Sequence, residues 1–162
     1  MIKRTLTLRR WLSAFVECET GQALAEASLA MPFFLMLLLG AVDLARAAYT
    51  GIEVTNAAKA AAQYGAQNSA TAANTSAIQN AATADASGIS DLNTTVTMGG
   101  VCSDGSACTG TGGTCRSTDC STSHIETILT VNASTTYHPM SPLPGLGDLT
   151  LHGQAVQKVL NQ

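Results

Sequence analysis

The hydrophobic residues of this chain are concentrated in one segment near its N-terminus. Residues 27–42 carry no charge, and the wider segment 22–42 contains a single charged residue, Glu26. A helix of this wider segment is about 31 Å long at 1.5 Å per residue, which matches the roughly 30 Å hydrocarbon core of a bilayer. The pattern therefore predicts one membrane-spanning helix.

The helical pattern continues beyond the apolar segment to about residue 66. Residues 41–66 contain no proline, and alanine, the strongest helix former, fills many of the positions. Small or apolar side chains recur at steps of three and four residues, which predicts a thin apolar stripe: Ala41, Leu44, Ala48, Ile52 and Thr55. We expect this stripe to pack against the chain's own strands or against the helix of another chain.

Shorter helix and strand patterns follow the long helix. Alanines and Ile78 within residues 68–86 predict a second short helix, which Gly88 would end. Three segments show the alternation or the β-branched composition of strands: residues 92–98, 125–137 and 149–155. Sequential strands joined by turns predict a small antiparallel sheet that packs against the helix.

The distribution of charge orients the predicted membrane helix. Residues 1–21 contain four basic side chains, whereas residues 43–162 contain four basic and eight acidic ones. The positive-inside rule therefore predicts a cytoplasmic N-terminus and an extracytoplasmic C-terminal part. With 12% charged residues and a net charge of -3, the chain is not expected to bind nucleic acid. Its 162 residues also exclude a large multidomain enzyme.

Four cysteines lie in the Gly-, Ser- and Thr-rich segment 99–123: Cys102, Cys108, Cys115 and Cys120. In an extracytoplasmic compartment they are expected to form two disulfides, with three pairings open. A zinc site, for example Cys115 and Cys120 with His124, and free thiols are the alternatives. The spacings lack the C-x2-C pattern that is usual for zinc, which favours disulfides.

Residues suited to catalysis are not grouped in this sequence. His124, His138 and His152 are spaced evenly on different predicted elements, and no nucleophile–base pair, phosphate-binding glycine loop or carboxylate pair occurs at a useful spacing. We therefore expect no catalytic residue, no cofactor, no bound metal and no small-molecule substrate. A structural role is favoured over an enzymatic one.

A glycine and the acidic residue of the apolar helix form a motif. Residues 21–26 read GQALAE and follow a short basic leader. This arrangement resembles the processing site of type IV pilin-like proteins, in which a membrane-embedded prepilin peptidase cuts after the glycine. The resemblance implies cleavage between Gly21 and Gln22, which makes Glu26 the fifth residue of the mature chain. In those families this glutamate is thought to pair with the new N-terminal amine of a neighbouring subunit and so set register.

Further runs narrow the resemblance to one family. Residues 39–49 read LGAVDLARAAY and residues 54–64 read VTNAAKAAAQY. They are similar to the TadE-like family of the tight-adherence (Tad/Flp) pilus system, as is the closing segment 137–151. The resemblance implies a minor pilin or pseudopilin that acts structurally in pilus assembly, adherence or secretion, with other pilin subunits as partners of its helix. Asp43 and Arg46, three residues apart in the first run, are expected to form an exposed helix pair.

The expected fold class is α+β, in the form of a pilin-like lollipop. A cytoplasmic leader (1–21) precedes a transmembrane helix that continues into an extracytoplasmic stem (22–66). A small α+β domain (67–162) follows, with an antiparallel sheet and a Cys-rich loop (99–123). The expected location is the bacterial inner membrane, and the pilus after processing.

Two alternatives to a processed pilin remain open. One is an unprocessed single-pass scaffold of the Tad secretion machinery in the inner membrane. The other is an exported soluble binding module released after Ala47, where an A-x-A-like site ends. The N-terminus of the mature protein distinguishes all three.

Overall fold

The computed structural model describes residues 19–106, 108, 115, 116, 118–140 and 147–160. Within these ranges the chain has three helices and three strands: α1 (Glu19–Gly65), α2 (Ser69–Ala73), α3 (Thr75–Asp85), β1 (Asn93–Cys102), β2 (Ile125–Tyr137) and β3 (Leu149–Lys158). The expected α+β class is confirmed. Most of the predicted leader (residues 1–18) and the proline-rich segment 141–146 lie outside the described residues.

The three strands form one antiparallel sheet in the order β1-β2-β3. β2 has the bounds that the sequence predicts, but β1 and β3 are longer than predicted and end at Cys102 and Lys158. The Cys-rich segment was expected to be a loop from residue 99, whereas Gly99 and Gly100 pair with Ile128 and Thr127. Ladder pairing uses backbone groups, which glycine retains although its strand propensity is low.

Asparagine side chains divide the region after α1 into two helices instead of the single one expected. The Asn68 side chain accepts a hydrogen bond from Thr71 N at 2.8 Å and begins α2. Asn74 ends α2 and also caps α3, where its Oδ1 accepts from Ala77 N at 3.1 Å. Both contacts are N-caps, which satisfy amides that have no partner inside the helix.

The chain forms two compact units, Met1–Leu44 and Ala45–Gln162. The helix residues from 45 onward thus belong to the same unit as the sheet, whereas the predicted extracytoplasmic domain begins at residue 67. The cause is a buried alanine-rich face of α1, whose members are spaced at steps of three and four and are fully buried: Val54, Ala57, Ala58, Ala61 and Ala62.

The inner face of the sheet completes this core with alternate residues of its strands. Leu129, Val131 and Ala133 of β2 are 0–1% exposed, and Ile78 of α3 is fully buried beside them. Side chains of successive strand residues point to opposite faces of a sheet. Buried and less buried residues therefore alternate along β2 from Leu129 to Tyr137, because only one face of the sheet is buried. The apolar core thus lies between α1, α3 and the sheet.

The backbones of α1 and β3 approach each other closely at one glycine. Gly153 pairs with Ala133 in the sheet and is buried. A Cβ atom at position 153 would lie 2.7 Å from Thr55 Cα and 2.8 Å from the Val54 carbonyl oxygen. Glycine is therefore required by space at this position, and small residues on both surfaces set the distance between helix and sheet.

Candidate assembly site on the N-terminal helix

The part of α1 in the first unit exposes an apolar surface. Twelve large apolar side chains between Leu24 and Leu44 are each 47–80% exposed. Within Gly21–Gly65 this helix is long enough to cross a membrane and contains an 18-residue stretch with a mean hydropathy of 2.0, and it is the one such helix in the described part of the chain. A surface of this kind is unfavourable in water, because monomeric soluble proteins rarely expose large contiguous apolar patches. It fits a single-pass membrane protein.

The predicted processing motif lies in the first turns of α1. Gly21 has open space around it, since a Cβ atom there would meet nothing within 4 Å. A glycine inside a helix costs roughly 0.5–1 kcal/mol relative to alanine, and no contact of the described residues requires one here. Packing therefore does not account for Gly21.

Glu26 lies one helical turn after Gln22 on the same side of α1. Its Oε1 accepts a hydrogen bond from Gln22 Nε2 at 3.3 Å, and its side chain is exposed. No ion pair to Glu26 occurs among the described residues. Within the part of the chain that the structure describes, Glu26 is thus an acid without a cationic partner near the start of an apolar helix.

Asp43 and Arg46 were both expected to be exposed, and this expectation is wrong for Asp43. Arg46 is exposed, but Asp43 is only 3% exposed. A buried carboxylate is costly when it has no partner, and Asp43 is not without one. Sequence spacing alone could not reveal this, because an i, i+3 pair of opposite charges is typical of a solvated helix face.

The Cys-rich segment is closed by two disulfides. Cys102 pairs with Cys120 and Cys108 with Cys115, at Cα–Cα distances of 5.5 and 4.9 Å. Both distances lie in the normal range for disulfides. The bond from Cys102 joins the end of β1 to the segment before β2, so it anchors the loop to the sheet.

The three histidines occupy separate places along the sheet. His124 precedes β2, and its Nε2 lies 3.2 Å from Glu126 Oε1. His138 follows β2, and its Nδ1 lies 2.7 Å from Asp148 Oδ1. His152 is exposed on the outer face of β3. The zinc alternative with His124 gains no support, because its two cysteines, Cys115 and Cys120, each belong to a disulfide.

Asp91 caps the sheet just before β1 begins. Its carboxylate accepts hydrogen bonds from Thr135 Oγ1 at 2.7 Å and from Thr136 N at 3.2 Å. The Thr135 hydroxyl, followed by the Thr136 amide, holds the pKa of Asp91 below its usual value. A pKa that is lower in the folded than in the unfolded state means that the ionised carboxylate stabilises the fold.

The ionised carboxylate of Asp91 is expected to stabilise the fold fully when the pH is above the pKa of this group in the unfolded chain. The stabilisation should be lost as the pH falls through that pKa and then through the lower pKa of the folded chain. Asp91→Asn should therefore lower the unfolding midpoint near neutral pH, and its difference from wild type should shrink as the pH falls below the usual pKa of an aspartate. Urea denaturation of the full chain in detergent micelles at several pH values measures this. A difference that stays constant with pH would show that the charge of Asp91 is not responsible.

A helix long and apolar enough to span a membrane and a small disulfide-closed sheet are the two parts of this α+β protein. The family model described as TadE-like protein matches residues 21–63. This segment contains the Gly21–Glu26 motif and Asp43, and the match confirms the TadE-like resemblance over these residues. No curated protein matches the chain, and no solved structure does. The likeness to this family is therefore one of the N-terminal helix, residues 21–63.

Proposed function

We propose that this chain is a minor pilin-like subunit of a Tad pilus. In this proposal prepilin peptidase cuts between Gly21 and Gln22, and the apolar helix then packs among the helices of other pilin or pseudopilin subunits. Glu26 pairs with the N-terminal amine of a neighbouring subunit and sets the register. The role is structural, in pilus assembly and in the adherence or secretion that depends on it.

One observation carries the proposal most directly. Glu26 has no ion-pair partner in the described chain, and it lies five residues after a glycine that packing does not require. A carboxylate that enters an apolar environment is stable only when a cation or hydrogen-bond donors accompany it. The amine released by cleavage of another copy or of another pilin supplies such a cation.

The disulfides support an extracytoplasmic location for the sheet. Disulfides persist in oxidising compartments and are rare in the bacterial cytoplasm. This agrees with the basic residues near the N-terminus, which favour a cytoplasmic start and an inner-membrane anchor. The leader would then lie on the cytoplasmic side, together with Cys18.

A second surface for subunit contact lies on α1 within the Ala45–Gln162 unit. Ala48 and Ile52 of the predicted apolar stripe are exposed and do not pack on the chain's own strands, since the sheet covers the opposite, alanine-rich face. With Ala45 and Tyr49 they form a face at steps of three and four residues, here called the outward face. Ile52 is 59% and Tyr49 63% exposed. This face suits the helix of another subunit.

Ile52→Asp is expected to leave the fold intact and to lower incorporation into pili at least about tenfold. Burial of an isoleucine in a helix interface contributes roughly 1.5–3 kcal/mol, and about 1.4 kcal/mol is a factor of ten in association. The measurement compares the amount of subunit in sheared pili with the amount in membranes.

Val156→Asp is the matched control, because Val156 is 53% exposed on the outer face of the sheet. The control should be incorporated like wild type. Equal incorporation of both variants would remove the outward face from the proposed interface. Loss of the Ile52→Asp chain from membranes as well would point to misfolding, and crosslinking from a cysteine at position 48 would then test the interface directly.

A further inference from the structure

The outer face of the sheet, opposite the apolar core, contains a cavity of about 340 Å³, here called the polar cavity. This volume is at the lower end of the range for small-molecule sites. Backbone of Ala133 and Gly153 forms part of its lining. The side chains that line it come from all three strands and are amides, hydroxyls and one imidazole: Asn93, Thr95, Asn132, Ser134, His152 and Gln154.

Strand register places these six side chains in two rows that cross the sheet. Residues directly opposite each other on one face have Cβ atoms about 4.5–5.5 Å apart. A ligand of the size of a sugar ring or two can therefore contact both rows at once. The rows are Asn93–Ser134–His152 and Thr95–Asn132–Gln154.

Much of the hydrogen-bonding capacity of the polar cavity is unused within the described chain. Gln154 Nε2 donates to Asn132 Oδ1 at 2.8 Å, which orients both amides. The Asn132 amino group then remains as a donor and Gln154 Oε1 as an acceptor. The side chains of Asn93, Thr95 and Ser134 form no hydrogen bond with another described residue. Donors and acceptors thus lie side by side and without a charge.

We propose that the polar cavity binds a neutral carbohydrate. Each hydroxyl group of a sugar both donates and accepts hydrogen bonds, which matches neighbouring amides and hydroxyls. An anionic ligand would be expected to meet lysine or arginine, and an apolar ligand an apolar lining, but the lining of this cavity has neither. The proposal goes beyond pilus assembly and does not depend on it, because the cavity is formed by the sheet alone.

The test uses the full chain in micelles of a zwitterionic detergent, which carries no sugar group. Saturation-transfer NMR screens neutral disaccharides and trisaccharides of glucose, galactose, mannose and N-acetylglucosamine, with protein-free micelles as the blank. We expect transfer to the ring protons of at least one neutral sugar and a weaker signal from sialylated or sulfated analogues. Absence of transfer to every neutral sugar, or transfer to acidic sugars only, would overturn the proposal.

Variants of the lining show whether a bound sugar occupies the polar cavity. Asn132→Ala and Thr95→Ala should each weaken binding about five- to tenfold, as measured by calorimetric titration, since each removes a hydrogen-bonding group. Thr97→Ala is the matched control, because Thr97 follows two residues later on the same face of β1 but does not line the cavity. Thr97→Ala should bind like wild type.

The urea midpoint of each variant shows whether it folds. Asn132 accepts the hydrogen bond from Gln154, so its replacement could also affect the sheet. The Thr95 side chain has no partner among the described residues, and Thr95→Ala therefore decides the outcome if Asn132→Ala does not fold. Binding by Thr95→Ala that equals wild type, or a loss of the same size in Thr97→Ala, would place the sugar elsewhere and overturn the proposal.

Discussion

Gly153→Ala is expected to lower the free energy of unfolding of the Ala45–Gln162 unit by about 2–3 kcal/mol. The new Cβ atom would lie 2.7–2.9 Å from backbone atoms of Val54 and Thr55, and backbone cannot rotate away as the end of a side chain can. Helix α1 and strand β3 must then separate, which loosens the contacts of the alanine-rich face. Urea denaturation of the full chain in detergent micelles, followed by circular dichroism, measures the change.

Gly51→Ala is the matched control for this prediction. Gly51 lies on the same helix, but a Cβ atom there would meet nothing within 4 Å. Alanine should therefore stabilise the chain slightly, by roughly 0.5–1 kcal/mol, through its higher helix propensity. An unfolding midpoint of Gly153→Ala equal to that of wild type would mean that helix and sheet are not in the close contact described here.

Glu26→Gln is expected to abolish incorporation into pili while processing continues. Glutamine keeps the size of the side chain and its hydrogen bond to Gln22, but it removes the charge that the proposed pair requires. Removal of one partner from a buried ion pair costs about 3–5 kcal/mol, so subunit association should fall more than about 100-fold. The fraction of processed chain recovered in sheared pili measures the effect.

Two further variants separate the role of the charge from general damage to the helix. Glu26→Asp keeps the charge and should retain part of the incorporation. Glu53→Gln removes a carboxylate elsewhere on α1 and should assemble like wild type, since the proposal gives Glu53 no partner in another subunit. Normal incorporation of Glu26→Gln would contradict the register role of Glu26.

The main elements of the fold were predictable because each has a local signal. The apolar run within α1 is continuous, and β2 is rich in Ile, Val and Thr from end to end, so the predicted and observed bounds of β2 agree. β1 was predicted too short because Gly99 and Gly100 have little strand propensity, although their backbone groups pair normally. The strand propensity of a residue does not include the hydrogen bonds that its partner strand provides.

Features that depend on distant contacts were not predictable. The apolar stripe through Ile52 was identified, but the sheet packs on the smaller alanines of the opposite face, which a hydrophobicity pattern weighs little. The requirement for Gly153 arises from a residue almost a hundred positions away in the sequence. The cysteine pairing likewise depends on the loop path, so spacing left three choices open.

Some features of the candidate site were likewise predictable from a local pattern, and others depend on tertiary contacts. The motif of Gly21 and Glu26 is visible in the sequence because its two residues lie within two helical turns of each other. The burial of Asp43 and the pairing of the four cysteines are tertiary properties, and no local pattern indicated them. The structure adds that no described residue lies close to Gly21 and that the sheet leaves the outward face uncovered.

The most direct test of the proposed function is the N-terminal residue and intact mass of the native protein, isolated from membranes of strains with and without an active prepilin peptidase. The proposal predicts a start at Gln22 with the peptidase and at Met1 without it. A start at Met1 in both strains would contradict processing at Gly21 and favour the unprocessed scaffold. A start after Ala47 would contradict the membrane anchor itself and favour an exported module.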